Sequence, residues 1–446
     1  MLNYQELSSL EKLSLLSKEA RLDYLSHFTS DQLERLLTSY AFIARTKQKF
    51  PSGNWRTWLI GSGRGFGKTF IGANWVLHQA QTQKYPIALV GANAADVRDY
   101  MIEVGESSII KQSPKWFTPQ YQPSKRRLIF PNGVIAIAYS ADNPDQLRGF
   151  NGNSAWIDEL AKFQYPVEVW DNLNFALRLG DNPKTVITTT PRPIKLIRQL
   201  YADKDVIKTF GSTNENRSNL ASSFVDFIYK KYAGTRLGRQ ELSGELLTDV
   251  PGALWTYELL DEYRVNKAPV CKEIIISIDP AVTANEDSNE TGITVCGVTD
   301  DDRGYLLEDK SGIYSPVQWA EIAIALYDKY NASYVVGEVN NGGDLVESNI
   351  QSTAKILALQ GRRKSQYIPY KKVHASRGKY TRAQPISTLY EKGQIHHVGT
   401  FANLEDELCT WLPGEKSPDR LDSLVWGFTC LMLKNDVVTT QPDSLW

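Results

Sequence analysis

The N-terminal part of the chain carries apolar side chains at helical spacing. Between Leu10 and Thr46, leucines and aromatic residues recur every three or four positions among charged residues. Residues three and four apart lie on one face of an α-helix, so this period favours helices over strands. The pattern predicts two or three short helices, and we assign residues 1–48 to an N-terminal helical segment.

After Asn54 the pattern changes to apolar runs of strand length that alternate with helical stretches. This alternation is typical of an α/β domain with a mainly parallel sheet and helices on both faces. We assign residues 49–250 to it. The predicted strands are Trp58–Ile60, Ile87–Val90, Leu128–Phe130, Val134–Ala138, Ala155–Ile157 and Val186–Ile187.

The segment Pro251–Thr256 (PGALWT) interrupts the pattern, because Pro and Gly rarely continue a helix or strand. We predict a linker over 251–268 and a second domain over 269–446. Three antiparallel strands open it, at Glu273–Ile278, Gly292–Val298 and Gly304–Leu307. They are followed by helix Pro316–Tyr330, strand Tyr334–Glu338, and helices near Asp344–Gln360, Thr381–Lys392 and Arg420–Leu433.

Composition narrows the class of protein without indicating its activity. With 446 residues, of which 42% are apolar, the chain is expected to form at least two globular domains. The four cysteines lie far apart without a C-x-x-C pair, which argues against a zinc site or a disulfide framework and favours a reducing cytosol. A net charge of −1 means that any nucleic-acid contact must come from local basic clusters.

The run SGRGFGKT at 62–69 follows a predicted strand and precedes a predicted helix. In that context the backbone N–H groups of a glycine-rich loop point at phosphates. Lys68 is expected to meet the β- and γ-phosphates and Thr69 to bind Mg²⁺. The expected nucleotide-binding residues are Gly63, Arg64, Gly65, Gly67, Lys68, Thr69 and Asp158.

Two acids and two arginines complete the expected chemistry of the first domain. Asp158 and Glu159 end an apolar strand, where Asp158 suits Mg²⁺ and Glu159 suits the attacking water. Hydroxyls at 188–190 are expected to sense the γ-phosphate. Arg64 acting in cis and Arg148 acting on a neighbouring subunit are candidates to stabilise transition-state charge, although a solvated surface position is an equal reading for Arg148.

The second domain brings carboxylates from three separate elements. Asp279 and Glu338 end apolar strands, and Asp419 and Asp422 lie three apart on one helix face. This order is that of an RNase H-like fold, whose carboxylates hold two Mg²⁺ or Mn²⁺ ions. Taken alone, each acid is more often a cap or a solvated side chain, Asp419 above all, because it precedes the last helix like an N-cap.

Basic residues between these elements form the densest positive run near the acids. They are expected to follow a DNA backbone, with a solvated face as the alternative. The run consists of Lys371, Lys372, Arg377, Lys379 and Arg382. His374, His396 and His397 have no zinc-ligand spacing, and we assign them no chemistry.

From about Phe50 to Phe428 these motifs resemble the large terminase subunit of tailed bacteriophages. In the first domain the resemblance rests on GRGFGKT, WIDE (156–159), TTTP (188–191) and PGALW (251–255). In the second it rests on SIDPAV, SNETGI (288–293), GEVNNGGDLV (337–346), ASRGKYTRAQP (375–385) and DRLDSLVWG (419–427). The departures are Ser62 at the first loop position and Ser423 where relatives often have Ala.

The resemblance implies a P-loop NTPase domain followed by an RNase H-like nuclease domain, with ATP, Mg²⁺ for the ATPase, and two Mg²⁺ or Mn²⁺ ions for the nuclease. It implies catalytic roles for Glu159, Asp279, Glu338 and Asp422, with Asp419 as an extra metal ligand. The implied partners are double-stranded DNA, the portal protein, the small terminase subunit and further copies of the chain in a pentameric ring. The implied location is the host cytoplasm and, transiently, the procapsid portal.

Two other classes of protein remain open. A cellular helicase or resolvase-like ATPase–nuclease in DNA repair requires the same chemistry, but helicase motifs are missing after TTTP. A nucleotide-gated adaptor with a decayed nuclease is disfavoured, because every expected acid is present.

Overall fold

The fold is given by a computed structural model, which describes residues 5, 7–232, 238–247, 249–280, 290–338, 343–374, 378–412, 414–415 and 418–433. The chain divides into two compact units, Met1–Leu247 and Thr248–Trp446. Each unit is built on its own sheet.

The first unit contains an eight-stranded sheet among its described residues, in the order β3-β4-β5-β2-β6-β7-β1-β8. Strands β5, β2, β6, β7, β1 and β8 are parallel, whereas β3 and β4 are antiparallel additions at one edge. The strands are β1 (Thr57–Ser62), β2 (Ile87–Gly91), β3 (Gln120–Gln122), β4 (Arg127–Ile129), β5 (Ile135–Ser140), β6 (Ser154–Asp158), β7 (Lys184–Thr189) and β8 (Val206–Gly211). The predicted α/β class is confirmed.

Central strands of this sheet are buried on both faces. Every residue of β1, β2 and β6 is buried, so these strands read as continuous apolar runs and not as alternating ones. The helices are α1 (Ser9–Ser14), α2 (Lys18–Ser26), α3 (Ser30–Leu37), α4 (Tyr40–Ile43), α5 (Lys68–Thr82), α6 (Ala94–Asp96), α7 (Ile109–Gln112), α8 (Pro166–Ala176), α9 (Lys195–Ala202) and α10 (Ser222–Tyr232).

Short helical turns join these elements. The 3₁₀ turns are Thr46–Gln48, Lys115–Phe117, Pro123–Lys125, Pro144–Gly149, Leu160–Lys162 and Thr213–Asn219. Two π-helical turns are Val97–Glu103 and Arg239–Ser243.

The N-terminal helices are held by caps more than by burial. Ser8 and Glu11 form a capping box at α1, and Thr29 and Gln32 form one at α3. None of the residues of α1, α2 and α3 is buried. These helices therefore contribute little to the hydrophobic core of the first unit.

The second unit contains a six-stranded sheet in its described parts, in the order β13-β12-β9-β10-β11-β14. As predicted, β9, β10 and β11 are antiparallel, and β12 joins β9 in parallel. The strands are β9 (Glu273–Asp279), β10 (Gly292–Val298), β11 (Gly304–Asp309), β12 (Tyr334–Glu338), β13 (Tyr370–Val373) and β14 (Ile395–His397). The helices are α11 (Tyr257–Glu262), α12 (Pro316–Tyr330), α13 (Gly343–Leu359), α14 (Lys379–Glu391), α15 (Ala402–Thr410) and α16 (Asp419–Met432).

Alternate residues of β9 enter two different cores, as the period of two in a strand requires. Ile275 packs with residues of α14, α15 and α16, whereas Ile276 and Ile278 pack with residues of α12 and α13. The sheet is thus covered on both faces, and β9 ends at Asp279 between the two layers.

Helix α16 lies unusually close to β10. A Cβ atom at Gly292 would stand 2.0 Å from the carbonyl oxygen of Asp419. Gly292 is also the register partner of Asp279 across β9 and β10. The glycine therefore brings the first turn of α16 onto the strand end that carries Asp279. That helix begins at Asp419 and not at Arg420, so Asp419 is its first residue and Pro418 is the N-cap.

Residues 251–268, which we predicted as a linker, contribute to the core of the second unit through Trp255, Tyr257 and Leu260. Arg264 then donates to both carboxylate oxygens of Glu405, at 2.6 and 3.0 Å. His397 Nδ1 lies 2.9 Å from Glu405, and Tyr390 lies 2.8 Å from the other ring nitrogen. This buried polar network fixes the start of the second unit to β14 and α15.

None of the described helices has the length and apolar character needed to cross a membrane. All four cysteines are free thiols; Cys296, Cys409 and Cys430 are buried, and Cys271 is partly exposed.

We expect Glu405→Gln to lower the free energy of unfolding by about 3 kcal/mol, because it removes one of the two anionic partners of the largely buried Arg264 and leaves only Asp261. Burial opposes ionisation of Glu405, but Arg264 and His397 outweigh it and hold the pKa of the carboxyl well below its usual value. The contribution of this group is therefore present above the pKa of an unfolded glutamate and is lost as the pH falls. Urea unfolding followed by tryptophan fluorescence at pH 7 and pH 4 measures both effects.

Glu258→Gln, an exposed change on α11, is the matched control and should leave stability unchanged. Equal midpoints for Glu405→Gln and wild type at pH 7 would contradict the assignment of this network as a structural anchor.

Candidate active sites

The first site is a loop between β1 and α5. Strand β1 ends at Ser62, and α5 begins at Lys68 with Gly67 as its N-cap. Gly65 and Gly67 have φ angles of 73° and 101°, which lie in the left-handed region that favours glycine. The loop thus delivers the free N–H groups of a helix N-terminus to one point, which is an arrangement suited to phosphate.

Lys68 is buried with its ammonium group directed into this loop. Its Nζ donates to the carbonyls of Ser62 and Gly63, at 3.0 and 3.2 Å, and to Thr190 Oγ1 at 3.0 Å. Glu159 lies 3.5 Å from the same nitrogen. A buried cation with weak carbonyl partners and one carboxylate is well placed to exchange those contacts for phosphate oxygens.

The predicted acid pair lies at the end of β6, beside β7. Asp158 accepts a 2.6 Å hydrogen bond from Thr188, and Glu159 accepts one of 3.0 Å from the backbone N–H of Thr190. Burial and the neighbouring Glu159 raise the pKa of Asp158 to about 7. Burial also opposes ionisation of Glu159, but the charge of Lys68 outweighs it and lowers the pKa of Glu159. Of the two, Glu159 is therefore the carboxylate that carries the charge beside Lys68.

Two residues that the sequence did not single out hold the loop in shape. Arg45 and Gln48, both buried, donate to the same carbonyl oxygen, that of Phe66. The Arg45 guanidinium also lies 4.8 Å from the centre of the Phe66 ring. The only signal in the sequence was the presence of two polar residues just ahead of an apolar strand, which is not distinctive.

The two candidate arginines occupy different environments. Arg64 Nε donates to Glu241 at 2.5 Å, and Arg192 lies 3.6 Å from the other oxygen of the same carboxylate. Arg148 is 72% exposed and pairs only with its neighbour Asp145 among the ion pairs of the described residues. Arg64 lines the cavity at the loop, whereas Arg148 lines a separate surface depression of about 340 Å³.

The cavity at the loop has a volume of about 790 Å³, within the range of small-molecule sites. Its walls include Lys68, Thr69, Asp158 and Glu159. The structure therefore brings together the predicted phosphate, Mg²⁺ and water-directing residues around one cavity.

The second site lies where β9, β12 and α16 meet. Burial, together with the charges of Asp422, Asp419 and Glu338, raises the pKa of Asp279 well above its usual value. Arg382 lies within 4.0 Å of both Glu338 and Asp422, and Gly292 brings Asp419 to the strand end that carries Asp279. The four predicted carboxylates therefore lie near one another, and a cation among them favours the ionised form of Asp279.

Two basic side chains lie among these acids. Lys379 donates to Asp422, and Arg382 Nη1 donates to Glu338 at 3.3 Å. The guanidinium of Arg382 also lies 4.5 Å from the Trp426 ring, and Trp426 Nε1 donates to Glu338 at 2.7 Å. These cations reduce the repulsion between the neighbouring carboxylates.

The predicted basic run is therefore divided. Arg382 has an 8% exposed side chain that faces the acids, whereas Lys379 is 46% exposed. On β13, Lys371 packs over Tyr334 and Lys372 pairs with Glu347 at 3.0 Å. Arg377 lies outside the described residues. The DNA contacts of this run stay a prediction.

The first turn of α16 is fixed by polar contacts on both sides. Arg420 is bonded to Glu290 at 2.7 Å and to Asp309 at 2.8 Å. Ser423 donates to the carbonyl of Ser277 at 2.9 Å and contacts Thr294 Oγ1 at the same distance. The serine at this position therefore ties α16 to β9 and β10 and supports the placement of Asp422.

The donor set suits hard divalent cations. Carboxylate oxygens are the ligands that Mg²⁺ prefers, and a buried carboxylate with a raised pKa gains most from such a cation. Among the described residues, however, no three acids, histidines or cysteines stand in the geometry of a formed metal site. The residues fit a divalent ion by chemistry, and Lys379 and Arg382 pair with two of the acids.

His396 and His397, to which we assigned no chemistry, contact neighbouring aromatic and acidic side chains. His396 stacks on Tyr305 at 4.9 Å between ring centres, and His397 belongs to the buried network of Glu405.

We expect Thr190→Val to lower the kcat of ATP hydrolysis about tenfold, because Lys68 loses a charge-assisted hydrogen bond that directs its ammonium group. The steady-state rate and the KM for ATP measure the effect. Thr82→Val, at the far end of α5, is the control. An unchanged kcat would show that Thr190 does not position Lys68.

We expect Gly292→Ala to weaken Mn²⁺ binding at least about tenfold, because the new Cβ would displace the backbone of Asp419 and move Asp422 away from Asp279. Isothermal titration with Mn²⁺ measures the affinity directly. Gly378→Ala is the control, since a Cβ there meets no atom within 4 Å. If Gly292→Ala bound Mn²⁺ with wild-type affinity, the position of α16 would not determine metal binding.

Two family models match the chain. The model described as the N-terminal part of the T4likevirus-type terminase large subunit matches residues 59–261, and the terminase RNaseH-like domain matches residues 276–429. A comparison with curated protein sequences gave no match.

Several solved structures are similar to the chain. The large terminase from the thermophilic bacteriophage D6E is 14% identical, covering 91% of this chain and 99% of its own, with a TM-score of 0.42. The HK97 bacteriophage large terminase is 11% identical, covering 84% and 91%, with a TM-score of 0.36. The Thermus phage P74-26 large terminase ATPase domain is 13% identical, covering 49% and 98%, with a TM-score of 0.38.

The two family models together span both units and each candidate site. This chain belongs to the terminase large subunit family and combines an ATPase domain with an RNase H-like nuclease domain.

Proposed function

We propose that the protein uses ATP hydrolysis to drive double-stranded DNA through the portal into a procapsid, and that it cuts concatemeric DNA in its second domain. The observation that carries the proposal is the presence, in one chain, of a phosphate loop facing an acid pair and a separate cluster of carboxylates that are buried or partly buried. A packaging enzyme requires both activities.

In the first site the proposed roles follow the contacts. Lys68 exchanges its carbonyl partners for the β- and γ-phosphates, while Gly63, Arg64, Gly65 and Gly67 supply the loop that surrounds them. Thr69 and Asp158 hold Mg²⁺, which supplies positive charge to the phosphates when bound. Glu159 orients the attacking water and receives its proton, because Lys68 keeps this carboxylate ionised.

The arginines divide the stabilisation of charge between two subunits. Arg64 lines the cavity of its own subunit and acts in cis after leaving Glu241. Arg148 is exposed and lines a different depression, so we assign it to the site of a neighbouring subunit in a pentameric ring on the portal. Hydrolysis then depends on assembly.

In the second site Asp279, Glu338 and Asp422 would hold two Mg²⁺ or Mn²⁺ ions, with Asp419 as an additional ligand. Such ions supply charge to the attacking and the leaving oxygen of the phosphodiester. Lys379 is half exposed and pairs with Asp422. Lys379 would exchange that carboxylate for a phosphate of the DNA, and Lys371 and Lys372 would bind neighbouring phosphates.

We further propose the domain division 1–48, 49–250, 251–268 and 269–446. The small terminase subunit is the proposed partner in DNA selection. The host cytoplasm is the proposed location, with transient attachment to the portal and absence from the mature virion.

Cleavage of supercoiled plasmid in Mn²⁺ tests the proposal with two variants. Lys68→Ala should abolish ATP hydrolysis and keep cleavage, and Asp279→Asn should lower cleavage at least about 100-fold and keep ATP hydrolysis. Gel electrophoresis and phosphate release measure the two activities separately. Loss of both activities in both variants would refute two independent sites, and cleavage by Asp279→Asn at the wild-type rate would refute the nuclease assignment.

A strand-displacement assay distinguishes the alternative of a repair helicase. A packaging enzyme should hydrolyse ATP without separating the strands of a forked duplex, and ATP-dependent unwinding would favour the helicase.

A further inference from the structure

The cavity at the phosphate loop extends well beyond the residues that bind phosphate. Its walls also include Ser8, Leu10 and Glu11 of the N-terminal segment, Ile43 at the end of α4, and Leu220. Neither the sequence motifs nor the proposed function gives these residues a role. They form a second part of the same cavity, with apolar side chains as well as a carboxylate.

The sheet order indicates which part of a nucleotide reaches them. Strand β7 separates β1 from β6, so Thr190 and Glu159 approach Lys68 from one side of β1. Because the attacking water must stand beside the terminal phosphate, that side receives the γ-phosphate. The nucleoside must then extend toward the opposite side of β1, where β8 is the neighbouring strand.

The segment that follows β8 is bonded directly to the phosphate loop. Thr213 Oγ1 donates to the carbonyl of Arg64 and Asn216 Nδ2 donates to that of Gly65, both at 2.6 Å. The segment therefore forms a fixed wall at the nucleoside side of the loop, and Leu220 at its end contacts Gly65.

Helix α1 is joined to this wall by polar contacts. Ser218 Oγ donates to Glu11 Oε1 at 2.9 Å. Lys47, which follows α4, pairs with Glu215 at 2.9 Å. The N-terminal segment thus meets the wall at two points around the same part of the cavity.

We propose that the N-terminal helical segment is the cover of the nucleoside half of the ATP site, with Leu10 of α1 facing the bound nucleoside. The inference rests on the proposed function, because it assigns a further element to the same ATP site. A nucleoside combines a flat apolar base with sugar hydroxyls, which matches a wall that combines Leu10, Ile43 and Leu220 with Glu11.

The weak burial of the N-terminal helices agrees with a cover that the ligand stabilises. Leu10 is 38% exposed, and α1, α2 and α3 contain no buried residue. A base packed against Leu10 would remove apolar surface from water that folding leaves accessible. Bound nucleotide should therefore order α1, whereas tripolyphosphate, which lacks base and sugar, should not.

The test compares the affinities of the full-length protein for ATP and for tripolyphosphate in Mg²⁺ by isothermal titration. Leu10→Gln should weaken ATP binding about fivefold to tenfold through loss of the apolar contact, and should leave tripolyphosphate binding unchanged. Leu15→Gln is the matched control, because Leu15 is 65% exposed and does not line the cavity. Circular dichroism of both variants confirms that the helices are retained.

Hydrogen exchange of residues 9–14 provides a second readout in the wild-type protein. Exchange should slow with ATP and not with tripolyphosphate. The proposal that the N-terminal segment covers the nucleoside would be overturned by two results together. These are equal ATP affinities in Leu10→Gln, Leu15→Gln and wild type, and hydrogen exchange that ATP does not change. Failure of wild type to bind either ligand would instead overturn the proposed ATP site, so the two failures are distinguishable.

Discussion

A carboxylate withdrawn from water at the end of a strand either pairs with a positive charge or takes a raised pKa, and both sites of this protein depend on that constraint. In the first unit Lys68 balances Glu159, and Asp158 takes the higher pKa of the pair. In the second unit the charges of neighbouring acids raise the pKa of Asp279. Lys379 and Arg382 pair with two of these acids. Both sheets therefore have basic side chains beside the acids at their strand ends: one lysine in the first unit, and a lysine and an arginine in the second.

The difference follows from how each site is built. Lys68 is the first residue of α5 and donates to carbonyl oxygens of the loop, so phosphate can replace these partners without a change of fold. Lys379 and Arg382 come from α14 and pair with Asp422 and Glu338, so in the proposed mechanism these pairs break before divalent ions bind the two acids.

The sequence predicted the fold class and most of the long helices and strands, but not several short edge strands. Apolar runs located β1, β2 and β6 because these strands are buried on both faces. Strands β3, β8 and β13 escaped prediction, since partly exposed edge strands such as QYQ and YKKV contain few apolar residues. β8 and β13 pair with strands far along the chain, and β3 pairs with the nearby β4; in all three the pairing is made by backbone hydrogen bonds, which the apolar pattern does not record.

The same limit applies to the sites. Sequence motifs located Lys68, Glu159 and Asp279. The charge of Arg382 indicated only that it pairs with an anion, and the structure shows that this anion is Glu338. Placement of α16 depended on Gly292, a residue without chemistry whose importance appears only when Asp419 lies against it. Whether each site residue acts as assigned stays a prediction.

The double hydrogen bond from Arg45 and Gln48 to the Phe66 carbonyl has a kinetic consequence. Because folding already fixes the backbone of the loop, an arriving phosphate does not have to order it, and little conformational entropy is lost at that step. Association at the phosphate end then requires no loop rearrangement and should approach the rate set by diffusion and orientation. A motor that must bind a new ATP after every hydrolysis cycle gains from a phosphate loop that keeps its shape between successive nucleotides.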